Sequence, residues 1–252
     1  MSGDVPNFSV GDFTPFLRHS QGLALIGGQA VAWWEQRYLA PDRPIASRDV
    51  DFWGDREEME AFLKRLGLQA RYPHRYEMTV LLGVADIKIH GRPSQIEFLH
   101  TVPGLDVSSR ETSTVKQECE GGSIRVLDPI SLSLTKLHAL RNFDQRDRLD
   151  LLHLKTCLAA SREFLIECLQ AEPDIAHWHI ERLVKMALQK RNWKAAANQN
   201  VKLLDAVPID ELRLSVEQPG GDESIARFLE IRWPEILRKT DAFRRESAEL
   251  SE

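Results

Sequence analysis

Residues 23–53 read LALIGGQAVAWWEQRYLAPDRPIASRDVDFW. An apolar run ends at Gly27-Gly28, and a helical spacing of Ala30, Val31, Trp33, Trp34 and Tyr38 follows until Pro41 and Pro44 stop it. A second apolar run then carries Asp49 and Asp51. From Arg48 to Trp53 polar and apolar residues alternate, as in a half-buried strand, so Asp49 and Asp51 share one face while Val50 and Phe52 anchor the other. Two strand steps separate the acidic Cα atoms by about 6 to 7 Å. Side chains at that spacing can converge on divalent ions, and Mg²⁺ takes one or two carboxylates together with phosphate oxygens and water. The glycine pair lets the chain turn tightly into the helix, whose free N–H groups favour an anion. The order therefore suggests a site for metal and nucleotide phosphates. Neither Gly-x-Gly-x-x-Gly nor Gly-x-x-x-x-Gly-Lys-Ser/Thr is present, which removes support for Rossmann and P-loop readings.

The remaining sequence sets the frame. A chain of 252 residues, 42% hydrophobic, can bury one large core or two small ones. Its net charge of −5 gives no global field for nucleic acid, so any such contact must be a local patch. Cys119, Cys157 and Cys168 are too few and too scattered for a disulfide framework or a zinc site, which suits a reducing cytoplasm. No apolar run is long enough for a membrane span, and no signal segment is evident at the N-terminus.

In chain order, the aromatic and aliphatic residues of 8–17 predict a short helix under a sheet. Core packing is the expected role of Trp33 and Trp34. Residues 55–66 predict a helix with acids in its first turn, bases in its last and Gly67 as its stop; Glu57 and Glu58 read as a solvated face. Segments 78–83, 86–90 and 95–100 read as strands, with a four-residue turn at 91–94. That turn would set Lys88 opposite Glu97, so Glu97 has two readings: a cross-strand ion pair or a third carboxylate of the site. Residues 101–122 read mostly as loop, with a strand near 123–127. Asp128-Pro129 is a strong helix start, and periodicity beyond it is mainly helical. The class expected is thus α+β (mixed α/β), with an α/β domain at 1–127 and an α-helical domain at 128–252.

Two segments resemble a known family. Gly27-Gly28 followed by Ser47-Arg48-Asp49-Val50-Asp51-Phe52 resembles the core motif of the polymerase-beta-type nucleotidyltransferase superfamily. Lys136-Leu137-His138-Ala139-Leu140 and Arg146-Asp147-Arg148-Leu149-Asp150-Leu151-Leu152-His153-Leu154 are similar to the Lys-x-x-Ala-Leu and Arg/Lys-Asp-x-x-Asp-Leu blocks of AbiEii-like nucleotidyltransferases, the toxins of bacterial type IV toxin–antitoxin pairs. The resemblance spans residues 23–154.

It implies a nucleotidyltransferase-fold sheet, a nucleoside triphosphate as substrate, and Mg²⁺, with Mn²⁺ as the alternative, on Asp49 and Asp51. It implies Gly27, Gly28, Ser47, Arg48 and Lys136 at the phosphates, with Lys136 meeting developing charge and Asp150 serving the site. Superfamily members often carry a third carboxylate on a neighbouring strand, for which Glu97 is the first choice and Asp86 the second; AbiEii-like proteins often manage with the aspartate pair. Without the resemblance, Lys136 reads as a lysine snorkelling beside leucines, and Asp147 and Asp150 as neighbours on a helix face pairing with Arg146 and Arg148. An RNA acceptor such as tRNA and a partner antitoxin are further implications. A small-molecule acceptor and a catalytically silent nucleotide-binding module are the competing functions.

His177 and His179 diverge on a helix and lack a third ligand, so no zinc is expected there. Arg182, Lys185, Lys190, Arg191 and Lys194, with Trp193 among them, are either an RNA contact or a solvated face. Residues 217–223 read as a flexible turn.

Overall fold

The computed structural model describes residues 7–119, 121–146, 148–218 and 222–249. Two compact units divide the chain, Met1–Thr135 and Lys136–Glu252.

The first unit is built on a seven-stranded mixed sheet. In chain order its strands are β1 (Ala24–Ile26), β2 (Val50–Trp53), β3 (Ala70–Arg71), β4 (Leu81–Ile89), β5 (Arg92–Leu99), β6 (Thr114–Cys119) and β7 (Gly122–Leu127), and they lie side by side as β3-β4-β5-β2-β1-β7-β6. Its helices are α1 (Thr14–Leu17), after a 3₁₀ turn at Val10–Phe13, then α2 (Gly27–Tyr38) and α3 (Arg56–Leu66). The short central strand β1 is completely buried, antiparallel to β2 and parallel to β7. β2 in turn runs parallel to β5. Phe52 of β2, Phe98 of β5 and Phe62 of α3 cluster with centroids 5.4 to 6.1 Å apart and anchor the apolar face. The alternation that buries Phe52 and Phe98 turns Asp51 and Glu97 to the opposite face.

Local chemistry sets the boundaries. The Asp55 side chain accepts from Glu58 N while the Glu58 side chain accepts from Asp55 N, which starts α3 as a capping box, and Gly67 ends it at φ +63°. Glu58 is not the solvated acid expected from sequence. Its carboxylate is also gripped by Arg110 Nη1 and Nη2 at 2.6 and 2.9 Å, 52 residues away.

The hairpin between β4 and β5 is tighter than expected. Residues 78–90 form one strand from Leu81 instead of two, with an irregularity between Leu81 and Gly83. His90 and Gly91 alone make the turn, both at positive φ (50° and 77°), which matches the right-handed twist of the two strands. Ile89 consequently pairs with Arg92, and Glu97 pairs with Val84. Lys88 faces Pro93 instead, so the cross-strand Lys88–Glu97 ion pair is ruled out by register. A second difference is β6: the sequence suggests loop there, yet the segment pairs along its whole length with β7.

Helix α4 (Pro129–Asn142) begins as expected. Asp128, fully buried, accepts from Ser131 N and Ser131 Oγ, both at 2.8 Å. The second unit is helical, with α5 (Asp150–Ala171), α6 (Pro173–Ala187), α7 (Lys190–Ala197), α8 (Ile209–Glu217), α9 (Glu223–Arg227) and α10 (Trp233–Glu249); a π-helical turn at Phe228–Arg232 joins the last two. Phe164 of α5 meets His179 of α6 edge-on at 4.8 Å within its buried seam. The mixed α/β class and the helical second half agree with the sequence reading. No helix among the described residues is long and apolar enough to cross a membrane. Asp147 and part of the expected 217–223 turn lie outside the described residues.

Candidate active site

The acidic face is assembled by pairing on both sides of β2. Asp51 sits opposite Ile26 of β1 and beside Glu97 of β5 in a parallel register. Neighbouring strands lie about 4.8 Å apart, so these two carboxylates leave the sheet side by side. Asp49, two residues before Asp51, precedes β2 in the segment pinned to β5 by the buried Ser94, whose Oγ donates to Arg48 O at 2.7 Å.

Gly27 is the pivot. It ends β1 and opens α2 at φ +67°, a backbone conformation other L residues enter only at a cost. A Cβ there would lie 2.8 Å from Asp51 Cγ and overlap Asp51 Oδ2. The absent side chain is what lets the carboxylate rest against the start of α2, where the helix dipole favours negative charge.

The carboxylate of Asp49 is only partly compensated by hydrogen bonds. Asp49 Oδ2 accepts from Arg48 Nε at 2.9 Å, but Asp49 Oδ1 is buried and has no hydrogen-bond donor. A buried acceptor left without a donor costs about 1–3 kcal/mol, more when charged. Burial pushes the Glu97 carboxyl above its ordinary range, the negative charge of Asp49 adds to that, and Arg48 opposes it. An orphaned carboxylate oxygen beside a carboxyl that resists ionisation fits a cation. Among the described residues no group of three or more His, Cys, Asp or Glu side chains comes together at metal-ligand spacing. Asp49 and Asp51 are the residues that could hold a divalent cation, two being the number of carboxylates Mg²⁺ commonly takes when phosphate and water complete its shell.

Other sequence-derived residues fall around this centre or away from it. Ser47 bridges to Phe8 through its backbone, and Gln29 Nε2 donates to both carbonyls at 3.0 and 3.3 Å, which fixes the approach to Arg48. The Arg48 side chain is more than half exposed beyond its bond to Asp49. Asp86, the second choice for a third carboxylate, is exposed and paired with both Arg71 (3.0 and 3.1 Å) and Gln95 (2.9 Å).

Lys136 and Asp150 belong to the helical unit, where they meet each other. Asp150 opens α5 with only 4% of its side chain exposed, accepting from Lys136 Nζ at 3.3 Å and from Arg148 Nε at 2.5 Å. Burial opposes ionisation of Asp150, but the bond to Arg148 and the charges of Lys136 and Arg148 win and hold its carboxyl below the usual range. Sequence reasoning missed His153, one turn along α5 and buried, with Nε2 lacking a partner. Burial, followed by the Lys136 charge, pushes its imidazole down to about 4. Its place three residues after Asp150 was the available signal.

These charges make stability depend on pH. Because its pKa is raised on folding, Glu97 favours the fold below the ordinary carboxylate value and loses that contribution as pH rises through the raised one. Glu97→Gln is therefore expected to raise Tm at neutral pH in metal-free buffer, by roughly 2–4 °C for each kcal/mol relieved. That gain should vanish at acid pH, and an unchanged or lower Tm at pH near neutrality in thermal melts would oppose the assignment.

For His153 the sign is reversed: its lowered pKa supports the fold above the unfolded value and fails as pH falls toward about 4. The full effect is about 3 kcal/mol between pH ~6.5 and ~4. His153→Leu should flatten the urea-unfolding stability profile across that window, whereas a profile parallel to that of the unaltered chain would show that the imidazole does not titrate this way.

Comparison with known proteins gives structural neighbours only. No family model matches the chain, and no curated protein matches it. The fold is similar to an antigenic nucleotidyltransferase-like protein from Paracoccidioides brasiliensis, at 12% identity and a TM-score of 0.42 over 68% of this chain and 93% of that one. A similar match is the Megavirus polyadenylate synthase, at 12% identity and a TM-score of 0.37 over 65% of this chain and 36% of that one.

Proposed function

We propose that the chain is a metal-dependent nucleotidyltransferase. The observation that carries this reading is the meeting of Asp51 with Gly27 at the start of α2, beside Asp49 with its orphaned oxygen and Glu97 with its raised pKa. In the reaction, an acceptor hydroxyl oxygen bonds to the α-phosphorus of a nucleoside triphosphate. The bond from that phosphorus to the bridging oxygen breaks, and pyrophosphate leaves with its electron pair. Glu97 takes the hydroxyl proton; a carboxylate of raised basicity does this better than an ordinary one. Asp49 and Asp51 would hold Mg²⁺ or Mn²⁺, which would supply neutralisation of phosphate charge and a lower barrier to displacement. Gly28 and the opening turn of α2 offer N–H groups to phosphate, with Ser47 and Arg48 at the edge. In the helical unit Lys136 Nζ lies 3.3 Å from Asp150 Oδ1, which orients it.

The finer reading rests on the Lys136 and Asp150 motifs: an AbiEii-like toxin that modifies an RNA such as tRNA in the cytoplasm and is opposed by an antitoxin. Incubating the chain with each α-labelled nucleoside triphosphate and total cellular RNA tests it. Labelled RNA is expected, together with growth arrest when the chain is expressed alone. Pyrophosphate release with no labelled RNA would remove the RNA acceptor, and no turnover with any nucleotide would remove the enzyme.

A further inference from the structure

The basic residues at 182–194, one face in the sequence reading, have different fates in the fold. Arg182 lies 4.6 Å over the Trp178 ring and meets His179 Nδ1 at 3.0 Å, while Lys190 pairs with Glu246 at 2.5 Å. Arg191 joins a different group. The next residue, Asn192, is completely buried and accepts from Arg141 Nη1 of α4 at 2.7 Å. Its own amide donates to Met186 O and Gln189 Oε1, both at 3.1 Å, so its orientation is fixed. Arg141 is thereby positioned by a neutral buried amide, with its charge uncompensated by the bond that holds it.

Charges of one sign collect around that brace. His138 lies one turn before Arg141 on α4, and Arg191 stands in the first turn of α7, which has no acidic residue to offset the positive helix end. After burial, the charge of Arg191 lowers the pKa of Arg141, and the charges of Arg141 and Arg191 lower that of His138. Among the described residues neither Arg141 nor Arg191 has a carboxylate within ion-pair distance. The bond from Arg141 to Asn192 brings its guanidinium to the start of α7, where Arg191 also stands, and guanidinium groups suit a doubly hydrogen-bonding anion. Beside them Phe143, 47% exposed, lies 6.3 Å from the His138 ring with Arg148 stacked 5.1 Å over it. An exposed aromatic next to an anion site is what a nucleotide, with its base and its phosphate, engages.

We propose that Arg141, Arg191 and His138 form a phosphate-binding site on the helical unit, with Phe143 as the platform for an attached base. Its ligand is a phosphate carried by a single-stranded nucleic acid or by a free nucleotide. The site uses none of the carboxylates of the sheet.

The test is fluorescence anisotropy of the full chain with a labelled single-stranded oligoribonucleotide, and competition by ATP or inorganic tripolyphosphate. The double variant Arg141→Gln/Arg191→Gln should weaken oligonucleotide binding about tenfold or more. The slope of log affinity against log salt should shrink by roughly 0.7 for each phosphate that the variant no longer neutralises. Lys64→Gln/Arg75→Gln, which removes the same charge from exposed positions of the first unit, should leave binding nearly unchanged. Weaker oligonucleotide binding with unchanged ATP and tripolyphosphate competition assigns the site to a nucleic-acid backbone; parallel weakening of all three assigns it to phosphate of any source. Undiminished binding, or equal weakening in the control pair, overturns the proposal. Should the double variant melt early, Arg191→Gln alone, at an exposed position, gives the same test. Oligonucleotide binding is measured without nucleotide turnover, so failure of the transferase reading would leave this result standing.

Discussion

Asp51→Asn is expected to lower nucleotide transfer by at least about two to three orders of magnitude, a decrease typical of removing a group that stabilises transition-state charge. The substitution keeps the shape of the side chain but removes the charge that a divalent cation requires. Structurally it is mild. The carboxylate rests at the positive end of α2, and losing its charge there costs roughly 0.3–1 kcal/mol. A melt within a few degrees of the unaltered chain should therefore accompany the drop in activity. Asp49→Asn is expected to behave similarly; its amide leaves either an unpaired oxygen or an unpaired N–H at the buried Oδ1 position, so no gain in stability accompanies it. Transfer within about threefold of normal in either variant, far short of the expected decrease, would place the chemistry elsewhere in the chain.

Gly27→Ala should damage both stability and activity. The left-handed conformation at φ +67° costs an alanine roughly 1–2 kcal/mol, and the new methyl would occupy the position of the Asp51 carboxylate. Together these should amount to about 3 kcal/mol, and Tm should fall by roughly 2–4 °C for each kcal/mol. The two contributions can be separated. In an Asp51→Ala background the overlap disappears while the backbone strain remains, so the penalty of Gly27→Ala should shrink to the strain alone. Additive penalties in the double variant would mean that glycine is needed there for its backbone only. Activity should be absent from both the single and the double variant.

What can be read from the sequence tracks the range of the interactions. The strand, glycine turn, helix and acidic strand at residues 23–53 are legible because each carries its own local signal: burial at β1, positive φ at Gly27, alternation around Asp51. The start of α4 at Asp128-Pro129 and the stop of α3 at Gly67 belong with them. The hairpin register departs from expectation because His90 enters positive φ without being glycine or asparagine, which moves the turn and makes Val84 the partner of Glu97. β6 escapes sequence reading because Thr-Val-Lys-Gln-Glu-Cys is an edge strand, buried on neither face.

Features that rest on distant partners leave no trace in the sequence. The grip of Arg110 on Glu58 spans 52 residues and the brace between Arg141 and Asn192 spans 51. Gly27 and Asp51 are expected at one site from the sequence, but the close contact between them depends on β1 and β2 pairing with Ile26 opposite Asp51.

The most direct test of the proposed metal site at Asp49 and Asp51 is electron paramagnetic resonance of Mn²⁺ titrated into the chain with a non-hydrolysable nucleoside triphosphate analogue. The unaltered chain should take up Mn²⁺ beyond what the analogue alone binds, and Asp49→Asn/Asp51→Asn should abolish that excess while remaining folded. Equal uptake by the two proteins would contradict the assignment of Asp49 and Asp51 as metal ligands.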